Sequence, residues 1–155
     1  MLVFAFDPGL NTGMCTADLD TQKVTTVTID FKHLSSFDLL VDLNNPTIVS
    51  IIREKGVLFV VEKVVQTGRL NNDKYTQIRA YDRITQAIQM FMKLHDEEDN
   101  IYYTEITPEQ RKHLSIKVPT GIHGSHARDA YKQAITGLYL LGVVDVDGIV
   151  FEVAD

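Results

Sequence analysis

The chain has 155 residues, a formal net charge of −6, 45% apolar residues and 23% charged residues. That is enough for one domain, expected over residues 1–155, with its own core. The acidic balance argues against a nonspecific nucleic-acid coat protein. No stretch approaches the roughly 18 apolar residues of a membrane span. The opening "MLVFAFDPG" lacks the basic region and long apolar run of a signal peptide. Cys15 is the sole cysteine, so an intramolecular disulfide and a cysteine metal cage are both excluded. It reads as a small core residue, and the cytoplasm is the expected compartment.

In chain order, "MLVFAFD" predicts a strand apolar on both faces, ending on Asp7. "PGLNTG" reads as a turn, with Pro8 fixing φ and Gly9 and Gly13 free to take positive φ. "MCTADLD" and "KVTTVTIDF" predict two more strands, so the chain opens on a three-stranded meander. Residues 36–55 predict a helix interrupted near Asn44–Pro46. "GVLFVVE" is a second fully apolar strand, and it too ends on a carboxylate, Glu62.

Residues 72–94 predict a long helix, with Ile78, Tyr81, Ile84, Ile88, Phe91 and Leu94 recurring at spacings of three and four. "IYYTEI" is a strand. "TPEQRKHL" starts a helix, with Thr107 as N-cap and Pro108 at its first position. After the loop "SIKVPTGIHG", Ser125 is expected to cap a last helix running to about Gly142. Its stripe is Ala127, Ala130, Ala134, Leu138 and Leu141. The tail "GIVFEVAD" predicts a short edge strand. The fold class is α/β, a mixed central sheet flanked by helices.

Asp7 and Glu62 each close an apolar strand, and neighbouring strands would put both at one sheet edge. Ligand sites of α/β proteins gather at such edges. His126 and Asp129, three apart, share a face of the last helix, and Gln133 continues that face. Two carboxylates about 4 Å apart repel by roughly 4 kcal/mol at an effective dielectric of 20. With three, one is expected to keep its proton unless a divalent cation intervenes. Oxygen-rich Asp/Glu sites suit Mg²⁺ or Mn²⁺, and a pair of such ions suits phosphoryl transfer.

The segments "FAFDPGLNTG", "VLFVVEKVV" and "HARDAYKQAI" together resemble the RuvC family of Holliday-junction resolvases, within the RNase H-like superfamily. The resemblance runs to about Gly142. It implies an RNase H-like fold in which Asp7, Glu62, His126 and Asp129 are the catalytic ligands of two Mg²⁺ or Mn²⁺ ions. It further implies a homodimer that nicks a four-way DNA junction symmetrically, with the helix at 72–94 at the dimer contact. Arg69, Lys74, Arg79, Arg83 and Lys117 are then expected on DNA phosphates. Members of that family often carry an aromatic just after the second acid; here "EKVVQTGRL" has none.

The same ligand set would also serve a nuclease acting on RNA–DNA hybrids, flaps or other branches, and a non-catalytic branched-DNA binder is a third reading. Actin-like and sugar-kinase ATPases share the Asp-x-Gly opening but use a duplicated domain, and no repeat is seen here.

Overall fold

The computed structural model describes residues 1–64, 68, 70–145, 149 and 151–154. The elements follow the chain as β1 (Leu2–Asp7), β2 (Asn11–Asp18), β3 (Lys23–Asp30), α1 (Ser36–Leu43), α2 (Pro46–Lys55), β4 (Val57–Glu62), α3 (Asn72–Leu94), β5 (Ile101–Ile106), α4 (Pro108–Lys112), α5 (Ser125–Leu140) and β6 (Glu152–Val153). The six strands form one sheet in the order β5-β4-β1-β2-β3-β6. Strands β1, β2 and β3 are the antiparallel meander. Strands β4 and β5 run parallel to β1, each entered through helices.

Strands β1 and β4 are apolar at nearly every position because both of their faces are covered. Phe4, Phe6, Phe59 and Val61 point into a core closed by α1, α2 and α3. Val3, Ala5, Leu58 and Val60 point into a second core closed by α5. Phe59 is stacked on Phe4 and meets the edge of Phe91 from α3. Cys15 is buried in the α5-side core, and burial pushes its thiol up to about 12. It is a packing residue with almost no thiolate to react.

Helix boundaries follow local chemistry. Asn45 caps α2 on the nitrogen of Thr47, with Pro46 at the first helical position. Thr107 and Gln110 form a reciprocal capping box on α4. The tail adds β6, which pairs parallel with β3 at the sheet edge, and its Phe151 packs against Tyr131. Gly148, Val150 and Asp155 of the expected tail strand lie outside the described residues.

Four sequence expectations change. The turn after Asp7 is shorter than "PGLNTG": Asn11, Thr12 and Gly13 already belong to β2, with Gly13 opposite Asp7. Ser125 is the first helical residue of α5, not its cap. Gly124 takes the cap position with φ 89°, a conformation that favours glycine, and no side chain caps the helix. Leu94, the last residue of α3, and Leu141, just past the end of α5, finish their stripes in solvent, where the helix ends leave them uncovered.

Candidate functional site

Parallel pairing of β1 and β4 brings their carboxyl ends side by side, so Asp7 and Glu62 emerge at one edge. Both are buried, their side chains 12% and 7% exposed. The third contributor is the first turn of α5, and a missing side chain brings it close. A Cβ built on Gly13 would lie 2.0 Å from the carbonyl oxygen of His126. Only glycine admits that approach. Because Gly13 pairs with Asp7, the contact sets His126 beside Asp7, with Nδ1 3.4 Å from Oδ2.

One turn further along α5, Asp129 faces the same cluster. Two residues that the sequence did not single out as ligands tie the acids together. Arg111 of α4 forks between two carboxylates, its Nη1 donating to Asp129 Oδ1 at 2.6 Å and its Nη2 to Glu62 Oε1 at 3.3 Å. Gln133, fully buried on the α5 face that carries Asp129, donates its Nε2 to Glu62 Oε2 at 2.7 Å and to Asp7 Oδ1 at 3.3 Å.

The electrostatic result is a carboxyl that holds its proton. Burial is the first cause raising Asp7 to about 8, followed by its hydrogen bond to Glu62, the charge of Glu62 and the charge of Asp129. Arg111 opposes the shift. This is the behaviour expected of three crowded acids whose neighbouring cation, Arg111, pairs with Glu62 and Asp129 and not with Asp7.

The cluster opens into a cleft of about 570 Å³. Its walls are Asp7, the Pro8–Leu10 turn, Asn11 of β2, His126 and Asp129 on one side, and Asn71, Asp73, Lys74 and Gln77 at the start of α3 on the other. Lys74 is therefore the expected DNA contact that lines the cleft. Arg79, Arg83 and Lys117 are not among the lining residues. Arg79 lies over the rings of Phe31 and Tyr75. Lys117 lines a separate hollow with Tyr131 and Phe151. Arg69 lies outside the described residues.

Arg83 has structural work instead. It donates Nη1 to the carbonyls of Phe31 and Leu34 at 3.1 and 3.0 Å, and its guanidinium sits 4.0 Å from the centre of the Phe31 ring. This pins α3 to the segment that enters α1. Arg83→Ala is expected to cost about 2 kcal/mol, as charged hydrogen bonds to buried carbonyls usually do, read as a lower urea midpoint with an unchanged slope.

No protein-family model and no curated protein matches the chain. Solved structures do. Thermus thermophilus RuvC in complex with a Holliday junction substrate aligns with a TM-score of 0.51 at 14% identity, over 92% of this chain and 97% of that one. A second Thermus thermophilus RuvC structure aligns at the same score and identity, over 92% and 98%. The chain has the RuvC fold. The mixed six-stranded sheet flanked by helices is thus the RNase H-like architecture, and the RuvC likeness extends over nearly the whole chain. Among the described residues no helix is long and apolar enough to cross a membrane.

Asp7, Glu62 and Asp129 offer hard carboxylate oxygens and His126 one nitrogen, which suits Mg²⁺ or Mn²⁺. As arranged, no three His, Cys, Asp or Glu side chains among the described residues are grouped closely enough to hold one ion. Arg111 and Gln133 stand among the acids, and a guanidinium already supplies positive charge there. The donor types suit such ions, while Arg111 and Gln133 occupy carboxylate oxygens of the cluster as it stands.

Proposed function

We propose that the protein is a metal-dependent, structure-selective endonuclease that resolves four-way DNA junctions by paired symmetric nicks. The observation that carries this reading is that Asp7, His126 and Asp129 line one cleft, with Glu62 tied to Asp7 through Gln133 and to Asp129 through Arg111, on a RuvC fold. Asp7, Glu62, His126 and Asp129 would hold two Mg²⁺ or Mn²⁺ ions, which when bound lower the pKa of a water and offset charge developing on the phosphate.

The chain's own groups then have separate tasks. Asp7 and Glu62, fixed on strand ends and bridged by Gln133, form an immobile floor. His126 and Asp129 reach in from α5. Lys74 and the amino-terminal end of α3 face them across the cleft, and both favour a backbone phosphate. Asp7 must give up its proton before it can act as a ligand, so activity is expected to rise with pH toward about 8.

Two symmetric nicks need two sites facing one another, so a homodimer belongs to this reading. Exposed Phe37 and Val41 on α1, and Met90 and Leu94 on α3, give that pair of helices an apolar surface that supports such a contact. A DNA substrate and a single buried thiol suit a cytoplasmic protein.

The test is cleavage of end-labelled four-way junction, flap, linear duplex and RNA–DNA hybrid, in Mg²⁺ and in Mn²⁺. Paired nicks on the junction are expected. Cutting of the flap or hybrid in its place would overturn the junction assignment while keeping the nuclease. No metal-dependent cutting would overturn both.

A further inference from the structure

We infer that Arg111 is a removable internal counter-ion, competing directly with a divalent cation for Glu62 and Asp129. The inference rests on the metal-centre reading above and concerns how that centre is filled. Arg111 is nearly buried, its side chain 12% exposed, and it is the cation placed between these two carboxylates. Arg111 holds one oxygen of each acid and Gln133 the other oxygen of Glu62, so an ion approaching both acids meets the guanidinium's charge and competes for these oxygens.

Two further features mark the arginine as displaceable. Its buried Nε has no hydrogen-bond partner, so its inward position is incompletely satisfied. Its helix, α4, is one short turn with no buried residue, so little packing holds it in place. Arg111 also lines a groove with Lys112, Ser115 and Lys132, which gives the side chain room to withdraw. Gln133 also carries an unpartnered buried atom, Oε1, but it is fully buried on a long helix and holds Asp7 and Glu62 together. The cluster thus has a fixed brace and a mobile plug. The plug keeps the acids from repelling one another in the metal-free protein, at a cost in metal affinity.

The experiment is calorimetric titration of Mn²⁺ into the metal-free full chain, as wild type, Arg111→Met, Arg111→Lys and Lys132→Met. Arg111→Met is expected to bind Mn²⁺ about tenfold more tightly or better, since no buried ion pair must first be broken. Its metal-free form is expected to melt below wild type, with saturating Mn²⁺ closing the gap. Arg111→Lys, which keeps the charge but loses the fork, is expected to fall between, and serves if the methionine variant does not fold. Lys132→Met removes the same charge from the neighbouring groove and is expected to change affinity much less. Equal or weaker Mn²⁺ binding in Arg111→Met, or equal tightening in Lys132→Met, would overturn the proposal while leaving the metal centre intact. Absence of Mn²⁺ binding by every form would overturn the metal centre itself, and the counter-ion role with it.

Discussion

Replacing Gly13 by alanine is expected to destabilise the protein by about 3 kcal/mol, at the upper end of the usual range for overpacking. The added Cβ would meet the His126 carbonyl oxygen at 2.0 Å and its carbonyl carbon at 2.5 Å. These are backbone atoms, so no side-chain rotation relieves the clash. Either β2 bends away from β1 or the first turn of α5 lifts off the sheet. In both cases His126 and Asp129 move relative to Asp7. Displacement of a catalytic group by about 1 Å can cost roughly a hundredfold in rate. Urea unfolding and a cleavage assay below the unfolding transition read the two effects separately. A Gly13→Ala protein with wild-type stability would mean that α5 does not rest on the meander as described.

Asp7→Asn is expected to have opposite effects on stability and activity. In the metal-free protein, burial and the neighbouring acids hold Asp7 at about 8, against an ordinary 3.8. The folded state therefore binds this proton more tightly than the unfolded chain does. Its stabilising contribution is complete below about 3.8 and is lost as pH rises through about 8. Asparagine is neutral throughout and lacks that loss. The variant is expected to match wild type near pH 4 and to melt at a higher temperature than wild type at pH 9. Divalent cations should narrow the difference at pH 9, because a bound cation takes the place of the proton. In cleavage the same substitution removes a carboxylate from the floor of the site. A loss of several kcal/mol of transition-state stabilisation corresponds to roughly a thousandfold or more in rate. Equal thermal stability of the two proteins at pH 9 would contradict the crowding of acids around Asp7.

Much of this arrangement was legible in the chain. The doubly apolar runs ending on Asp7 and Glu62 gave two adjacent buried strands, and Thr107-Pro108 gave a helix start that the capping box realises. The spacing of His126, Asp129 and Gln133 gave one helical face turned to the cluster. What stayed hidden depends on how separate segments meet. Arg111 gave no signal in the sequence, because nothing local says that α4 brings it to Glu62 at the end of β4. Arg83 was expected on a DNA phosphate, yet distant carbonyls at Phe31 and Leu34 engage it. Gly13 read as turn chemistry, since its reason lies in the backbone of residue 126, far along the chain. Ser125 carried a cap signature, but the sharp entry into α5 needed positive φ, which Gly124 supplies.

The most direct test of a divalent-metal centre is anomalous diffraction from crystals of the protein soaked in Mn²⁺ near pH 8. The expected result is density within about 2.0–2.3 Å of carboxylate oxygens of Asp7 and Glu62, with the Arg111 guanidinium withdrawn. Saturating Mn²⁺ with no peak at the cluster, and Arg111 still bridging Glu62 and Asp129, would contradict a metal centre at this sheet edge.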